Sequence, residues 1–180
     1  MRVIAGRYKG RRLKAPTWDG LRPTSDKLRE TLFNILASRI EGARVFDGYA
    51  GTGAIGIEAL SRGAAHVTFV EQDRRARVLI EENLAGCAVE RDYTIDSGDV
   101  AAALSHQAGG TYDVILLDPP YDSSAIDALE AAARAVAPEG LIVLERATRR
   151  EPEMPASLER VRDVTSGDST LTFFKRTHDA

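Results

Sequence analysis

The sequence predicts an α/β fold: a doubly wound, Rossmann-like sheet of seven mostly parallel strands with a small N-terminal β-hairpin extension. Two observations support this prediction. Between residues 43 and 145, short apolar segments typical of buried strands alternate with amphipathic segments typical of helices. The first of these strands also leads directly into a Gly-rich turn and a helix, an arrangement typical of sheets that bind nucleotides.

Two elements are predicted ahead of this sheet. Residues 2–15 contain two short strand candidates separated by glycines, which predict a small hairpin. A loop with two prolines follows over residues 16–23. Apolar residues at helical spacing then predict a helix over 25–40, with Thr24 as its cap.

The alternating elements are assigned from apolar periodicity and from the Gly and Pro residues between them. Strands are predicted up to Asp47 and over 65–71, 92–98, 111–118 and 140–145, and helices over 54–60, 73–86, 99–107 and 124–137. Two final strands, 159–165 and 170–176, are joined by a short turn and predict an antiparallel hairpin at the end of the chain.

The Gly-rich turn after the first strand predicts a cofactor site. The spacing Gly51-x-Gly53-x-x-Gly56 lets backbone N–H groups approach a ligand, and it matches the dinucleotide-binding motif. Two cofactors compete for such a turn, a nicotinamide or flavin dinucleotide and S-adenosylmethionine (SAM). Asp47 favours SAM, because a carboxylate repels a pyrophosphate and attracts a sulfonium or an ammonium group.

Four acidic residues are predicted at or just after the carboxyl ends of strands, namely Asp47, Glu71, Asp99 and Asp118. Ligands of such sheets bind at this edge, so we expect these side chains to surround one ligand. Glu71 is suited to both ribose hydroxyls of a nucleoside. Asp99 is suited to an adenine amino group, together with a backbone N–H near Val100.

The segment Asp118-Pro119-Pro120-Tyr121 predicts the chemistry. Two prolines keep the chain rigid and extended, so that carbonyl groups can face a ligand. The Asp118 carboxylate and the Pro119 carbonyl could accept both N–H bonds of a nucleobase amine, which directs its lone pair at a methyl donor. Asp118 could also take the departing proton, and Tyr121 could stack on the base.

The charge is unevenly distributed. Residues 1–30 contain nine Lys or Arg and three acidic residues, whereas the whole chain has a net charge of -3. We therefore predict a basic N-terminal hairpin and loop at 1–23 that contacts a polyanion, and a separate domain at 24–180. The residues predicted to contact this polyanion are Arg7, Tyr8, Lys9, Arg11, Arg12 and Arg22.

The remaining composition excludes several classes of protein. The single cysteine, Cys87, excludes a disulfide framework, and the three histidines occur in unrelated contexts, so no metal site is expected. No apolar run approaches the length that spans a membrane, and the first residues lack a signal-peptide core. We expect a cytoplasmic protein that has no membrane contact, and no feature demands more than a monomer.

The sequence resembles the RsmD family of 16S ribosomal RNA guanine-N2 methyltransferases, which are class I SAM-dependent enzymes. The resemblance runs from Arg2 to about Glu145. It is carried by RVIAGRYKGRRL at the start, LRPTSDKLRETLFNIL, VFDGYAGTGAIGIEALSRGA with FVEQD, and DPPY. The family usually has Leu-Phe where this chain has Gly48-Tyr49, and it often has a Tyr-Gly pair where this chain has residues 165–168.

The resemblance implies methyl transfer from SAM to the exocyclic amine of one guanine, in 16S RNA or in the assembled small subunit. It implies that Asp118, Pro119, Pro120 and Tyr121 hold the base and that the hairpin docks on RNA. The residues expected near SAM are Asp47, Gly48, Tyr49, Ala50, Gly51, Gly53, Glu71, Asp99, Val100 and Thr24.

Four other functions remain open at this stage. A protein glutamine N5-methyltransferase uses a similar x-P-P-Y loop, but the short basic segment suits phosphate better than a protein loop. A DNA amino-methyltransferase would need a target-recognition domain, which is not visible in 180 residues. A dehydrogenase is disfavoured by Asp47 and by the proline motif. An RNA-binding protein without activity is disfavoured by the intact acids at four strand ends.

Overall fold

The computed structural model describes residues 1–19, 24–120 and 123–177. Within these residues the helices are α1 (Asp26–Ile35), α2 (Ala37–Ile40), α3 (Ala54–Ser61), α4 (Arg74–Gly86), α5 (Val100–Ser105) and α6 (Ile126–Ala135). The strands are β1 (Arg44–Gly48), β2 (His66–Val70), β3 (Tyr93–Asp96), β4 (Tyr112–Leu117), β5 (Val136–Ala147), β6 (Leu158–Ser166) and β7 (Ser169–Arg176).

The strands form one seven-stranded sheet in the order β3-β2-β1-β4-β5-β7-β6. The first five strands of this order are parallel, and β7 runs antiparallel between β5 and β6. This arrangement confirms the predicted doubly wound, mostly parallel sheet with an antiparallel hairpin at the end of the chain. The carboxyl ends of the parallel strands therefore meet at one edge.

Helices cover both faces of the sheet. One apolar cluster joins α1, α3 and α4 to the sheet through residues such as Phe33, Ile57 and Ile80, each almost fully buried. The second cluster joins α5 and α6 to the opposite face through residues such as Leu104 and Leu129. Each helix buries an apolar stripe, so the sheet edge between the two layers is free to form a site.

The predicted helix over 124–137 ends two residues early. Val136 already has an extended backbone and pairs with Tyr112 of β4, so β5 begins there and not at residue 140. Pro138 explains the difference, because a proline disfavours the helical conformation at Ala137 and cannot donate a helical N–H.

The predicted helix over 25–40 is divided at Leu36 into α1 and α2. Its cap is Ser25, whose hydroxyl accepts the N–H of Leu28, and not Thr24 as predicted. A serine hydroxyl in the capping position satisfies one of the free N–H groups of the first turn. The Thr24 hydroxyl is consequently available for other contacts.

The N-terminal segment pairs less extensively than predicted. Arg2 and Arg12 form one antiparallel bridge in place of two paired strands. Val3 and Leu13 are buried in the same apolar cluster as α3. Gly6 has a φ of +82°, and a Cβ at that position would lie 1.9 Å from the Ser61 carbonyl oxygen, so only glycine permits this close contact. The division of the chain at residue 23 stays a prediction.

Candidate functional site

A cavity of about 730 Å³ lies at the carboxyl ends of β1, β2, β4 and β5. Of the residues predicted to bind a cofactor or a base, ten line it: Thr24, Asp47, Tyr49, Ala50, Gly51, Glu71, Val100, Asp118, Pro119 and Pro120. The structure therefore brings the Gly-rich turn and the proline motif to the same cavity. Tyr121 and Arg22 lie outside the described residues.

Three predicted cofactor residues have other local roles. Gly48 lies in β1, where a Cβ would be 2.9 Å from Cδ2 of Leu117, so its small size permits sheet packing. Gly53 caps α3 with a φ of +75°. Asp99 is exposed and caps α5, accepting the N–H of Ala102 at 3.0 Å. None of these three residues is among those that line the cavity.

Asp47 joins the sheet to the first turn of α3. It is 2% exposed, and its Oδ2 accepts the N–H of Gly56 at 2.9 Å. A Cβ on Gly56 would lie 2.2 Å from the Phe69 ring and 2.9 Å from this carboxyl oxygen, so glycine is required for the contact. Burial raises the pKa of Asp47 to about 8, partly offset by the hydrogen bond from Gly56. A cationic ligand beside Asp47 would favour the ionised carboxyl and lower this pKa.

The backbone amides of the Gly-rich turn are occupied by oxygen atoms of the protein. The N–H of Gly51 donates to Oε2 of Glu71 at 2.9 Å, and the N–H of Gly53 donates to the carbonyl of Ala50 at 2.8 Å. With Gly56 bonded to Asp47, these amides are not arranged to hold a pyrophosphate. The turn fits a cationic cofactor such as SAM better than a dinucleotide, which argues against the dehydrogenase alternative.

The carboxylate of Glu71 organises the end of β2. Its two oxygens accept the N–H groups of Gly51 and Asp73, both at 2.9 Å. An ionised carboxylate offers about four acceptor positions, so acceptor capacity remains for ligand hydroxyls. The carboxylate lies where a nucleoside ribose is expected, twenty residues after Gly51 in the sequence.

A second acidic group lies across the cavity at the ends of β4 and β5. Thr24 Oγ1 lies 3.5 Å from Oδ2 of Asp118 and 3.3 Å from Oε2 of Glu145. Burial, followed by the charge of Glu145, raises the pKa of Asp118 well above its usual range, and burial also raises the pKa of Glu145. These two carboxyl groups therefore hold protons more strongly than exposed acids do.

Glu145 was missed by the sequence analysis although a signal was present. It ends the predicted strand 140–145, so the rule that selected four acids at strand ends applied to it as well. Trp18, Arg75 and Asp168 also line the cavity and were not assigned to it. The Arg75 guanidinium lies 5.0 Å from the centre of the Trp18 ring, a cation–π contact at the edge of the cavity.

The basic N-terminal residues form an exposed surface on an anchored backbone. Arg7, Lys9, Arg11 and Arg12 are exposed, whereas Tyr8 is half-buried against the core and lies under the Arg7 guanidinium at 5.6 Å. We call the exposed side chains Arg7, Lys9, Arg11 and Arg12 the basic surface. Tyr8 is thus less accessible to a nucleic-acid partner than the four cations around it.

Two buried polar side chains anchor this segment. Glu58 in α3 accepts the N–H groups of Ile4 at 2.7 Å and Ala5 at 3.0 Å. Asn83 in α4 exchanges hydrogen bonds with the backbone of Lys14 and donates to the carbonyl of Thr52 at 2.9 Å. Asn83 therefore links the N-terminal segment directly to the Gly-rich turn.

Membrane-spanning helices and metal-binding clusters are both absent from the described ranges. None of the helices over 1–19, 24–120 and 123–177 is long and apolar enough to cross a membrane. The same residues contain no group of three or more His, Cys, Asp or Glu side chains arranged to hold a metal ion.

Similarity to known proteins extends over nearly the whole chain. A family model described as "Conserved hypothetical protein 95" matches residues 1–175. Ribosomal RNA small subunit methyltransferase D of Escherichia coli K12 is 35% identical, covering 98% of this chain and 90% of that protein. The protein of the same name from Haemophilus influenzae is 33% identical, covering 93% of this chain and 89% of its own. The solved structure of yhhF from Escherichia coli has 34% identity and a TM-score of 0.84, covering 98% of this chain and 97% of that one.

Proposed function

Because the chain belongs to the RsmD family of methyltransferases, we propose that it transfers a methyl group from SAM to the N2 amine of a guanine in 16S ribosomal RNA. The substrate on this proposal is the free RNA or the assembled small ribosomal subunit. A cytoplasmic location and action as a monomer are part of the same proposal. The observation that carries it is the position of Asp118 and Pro119 in one cavity with Asp47 and Glu71.

The residues around the Gly-rich turn suit SAM. Asp47, which holds a proton up to about pH 8 in the free protein, ionises beside the positively charged sulfonium and ammonium groups, and Glu71 retains acceptor positions for the ribose hydroxyls. Val100 lines the cavity as an apolar surface for the adenine, and Asp99 is proposed to accept its amino group. Tyr49, Ala50 and Gly51 complete the wall that faces the ligand.

SAM supplies an electrophilic methyl group on its sulfonium. The chain's own contribution is to prepare the amine. The Asp118 carboxylate and the Pro119 carbonyl accept its N–H bonds, so the nitrogen lone pair is directed at the methyl carbon. With SAM bound, the methyl carbon would pass from sulfur to the nitrogen and the electron pair of the broken C–S bond would stay on sulfur. The Asp118 carboxylate would take the proton that leaves the nitrogen. The raised pKa of Asp118 makes its carboxylate a stronger proton acceptor than that of an exposed aspartate.

The RNA is proposed to dock on the basic surface. The four exposed cations project from a segment that is hydrogen-bonded to α3 and α4, and α4 contacts the Gly-rich turn through Asn83. Phosphate contacts of this kind position a substrate without reading its sequence. Arg22, Tyr8 and Tyr121 remain proposed RNA or base contacts.

A methyl-transfer assay with tritiated SAM tests the proposal. The substrates are purified small subunits, free 16S RNA, DNA and a release-factor protein, and label is assigned after nucleoside or amino-acid digestion. Label in N2-methylguanosine is the expected result. Label in protein glutamine or in DNA would replace the proposed substrate, and label in none of the four substrates would refute the proposed function.

The same assay tests the role of Asp118. We expect Asp118→Asn to lower kcat by about 100-fold to 10,000-fold, because the amide cannot take the proton, while SAM affinity changes less than about threefold. Asp113→Asn is the matched control, since Asp113 is an exposed residue of the same strand. An equal loss of SAM affinity and of kcat would mean that Asp118 holds the cofactor and not the amine.

A further inference from the structure

The register of the sheet places a second carboxyl group beside the proposed amine-binding residue. Leu117 of β4 pairs with Leu144 of β5, so the residues that follow, Asp118 and Glu145, are neighbours on the same face. Glu145 is only 7% exposed, yet it lines the cavity. A carboxyl group buried at this depth requires hydrogen-bond donors.

Within the ranges that the structure describes, few donors face this pair of carboxyl groups. The Thr24 hydroxyl has a single proton, and it lies 3.5 Å from Asp118 and 3.3 Å from Glu145, so it serves one carboxyl at a time. The Ser169 hydroxyl hydrogen-bonds Glu145 as well. Two carboxyl groups together offer far more acceptor positions than two hydroxyls fill. A ligand that fits this pair of carboxyl groups presents two N–H donors side by side.

Guanine presents such donors on the edge that carries N2. Its N2 amine lies next to the ring N1–H, and both are donors. Adenine and cytosine differ, because the ring nitrogen beside their exocyclic amine is an unprotonated acceptor, which a carboxyl oxygen repels. We propose that Glu145 accepts the N1–H of the target guanine while Asp118 holds its N2 amine, an inference that rests on the proposed function. Glu145 is then the residue that selects guanine over other amine-bearing bases.

This proposal is tested with RNA in which 2-aminopurine replaces the methylated guanosine. The analogue keeps the N2 amine but has an unprotonated N1. The RNA is built by splinted ligation and presented in the form, free or in reconstituted subunits, in which unsubstituted RNA is methylated. The wild-type protein is expected to prefer guanosine in kcat/KM. The quantity compared between variants is the ratio of kcat/KM for guanosine to kcat/KM for 2-aminopurine. The intrinsic reactivity of the two amines is the same for every variant, so it cancels when these ratios are compared.

Glu145→Ala is expected to lower kcat/KM for guanosine by about tenfold to hundredfold and to change that for 2-aminopurine by less than about threefold. The ratio of kcat/KM for guanosine to kcat/KM for 2-aminopurine therefore falls by about tenfold to hundredfold. Glu139→Gln is the control, because Glu139 is exposed at the far end of β5 and its preference should equal that of the wild type. An equal loss on both RNAs would show that Glu145 only supports Thr24 and Ser169, and it would overturn the proposal.

If the alanine variant does not fold, Glu145→Gln tests whether Glu145 recognises the N1–H of guanine. The amide keeps the size of the side chain but can offer an N–H to the unprotonated N1, so the preference for guanosine should fall. An unchanged preference would overturn the proposal. If the wild-type protein does not methylate guanosine in the unsubstituted RNA, the proposed function itself fails and this inference fails with it.

Discussion

Glu58 anchors the basic N-terminal segment to the rest of the protein through hydrogen bonds. Its side chain is 0% exposed, and it accepts hydrogen bonds from Ile4, from Ala5 and, at 2.7 Å, from Nε of Arg62. Buried beside it, the Arg29 guanidinium donates to the Arg2 carbonyl and to Asp26. Within the described residues, Nε and Nη1 of Arg29 have no hydrogen-bond partner, so the charges of Asp26 and, after it, of Glu58 are important for keeping Arg29 buried.

We expect Glu58→Gln to destabilise the protein substantially. The amide retains one acceptor oxygen, so one charge-assisted hydrogen bond is removed, and Arg29 no longer has this nearby opposite charge. Together these effects cost about 2–4 kcal/mol of unfolding free energy. For a domain of this size, that corresponds to a decrease in Tm of roughly 4–16 °C.

Urea unfolding and amide hydrogen exchange measure this effect. Exchange at Ile4 and Ala5 should accelerate more than exchange in β1 or β4, because the N-terminal segment is released first. Glu82→Gln is the control, since the exposed Glu82–Lys14 ion pair contributes about 0.5 kcal/mol or less. Equal stability of the two variants, with no acceleration at Ile4 and Ala5, would refute the view that Glu58 anchors this segment.

Three further predictions concern the Gly-rich turn, pH and RNA binding. Gly56→Ala should lower the unfolding free energy by about 1–3 kcal/mol, because its Cβ would collide with Phe69, whereas Gly86→Ala, with open space around it, should not. Unfolding free energy should fall as pH rises from about 4 to about 8, because in this range the native state holds a proton on Asp47 that the unfolded state has released. Asp47 should contribute about 1.4 kcal/mol per pH unit to this slope, and Asp47→Asn should reduce the slope by that amount, leaving the contribution of Asp118 and Glu145, whose pKa values are also raised. An unchanged slope in the variant would assign the whole effect to groups other than Asp47. Replacing the four cations of the basic surface with serine should reduce the salt dependence of RNA affinity by about 0.7–0.9 in log–log slope for each phosphate that the variant no longer neutralises, and an identical slope would exclude this surface as the docking site.

The sequence determined those features of the protein that depend on local patterns. Apolar segments separated by glycines and prolines predicted the seven strands in chain order, because side-chain periodicity reflects burial directly. The position of Asp47 and Asp118 at strand ends followed from the same pattern. The rule that ligands bind at the carboxyl edge of a parallel sheet then predicted that these residues meet, and they line one cavity.

Local competition altered some of these predictions. Asp99 satisfies the free N–H of Ala102 at the start of α5, and Ser25 in place of Thr24 caps α1. Several residues near a helix start can serve as its cap, and the choice depends on where the first turn packs. Pro138 already indicated that the helix ends before it, and hence that β5 begins early. The apolar periodicity of the preceding helix continued past that point and led to the longer helix prediction.

Only the tertiary structure decided which distant residues touch. Glu145 lies 121 residues after Thr24 and shares a hydroxyl with Asp118 because of the register between β4 and β5. Glu58 is buried because the N-terminal backbone folds over α3 and supplies its donors. Such contacts depend on how strands pair and helices pack across the whole chain, and periodicity within one segment carries no information about that pairing.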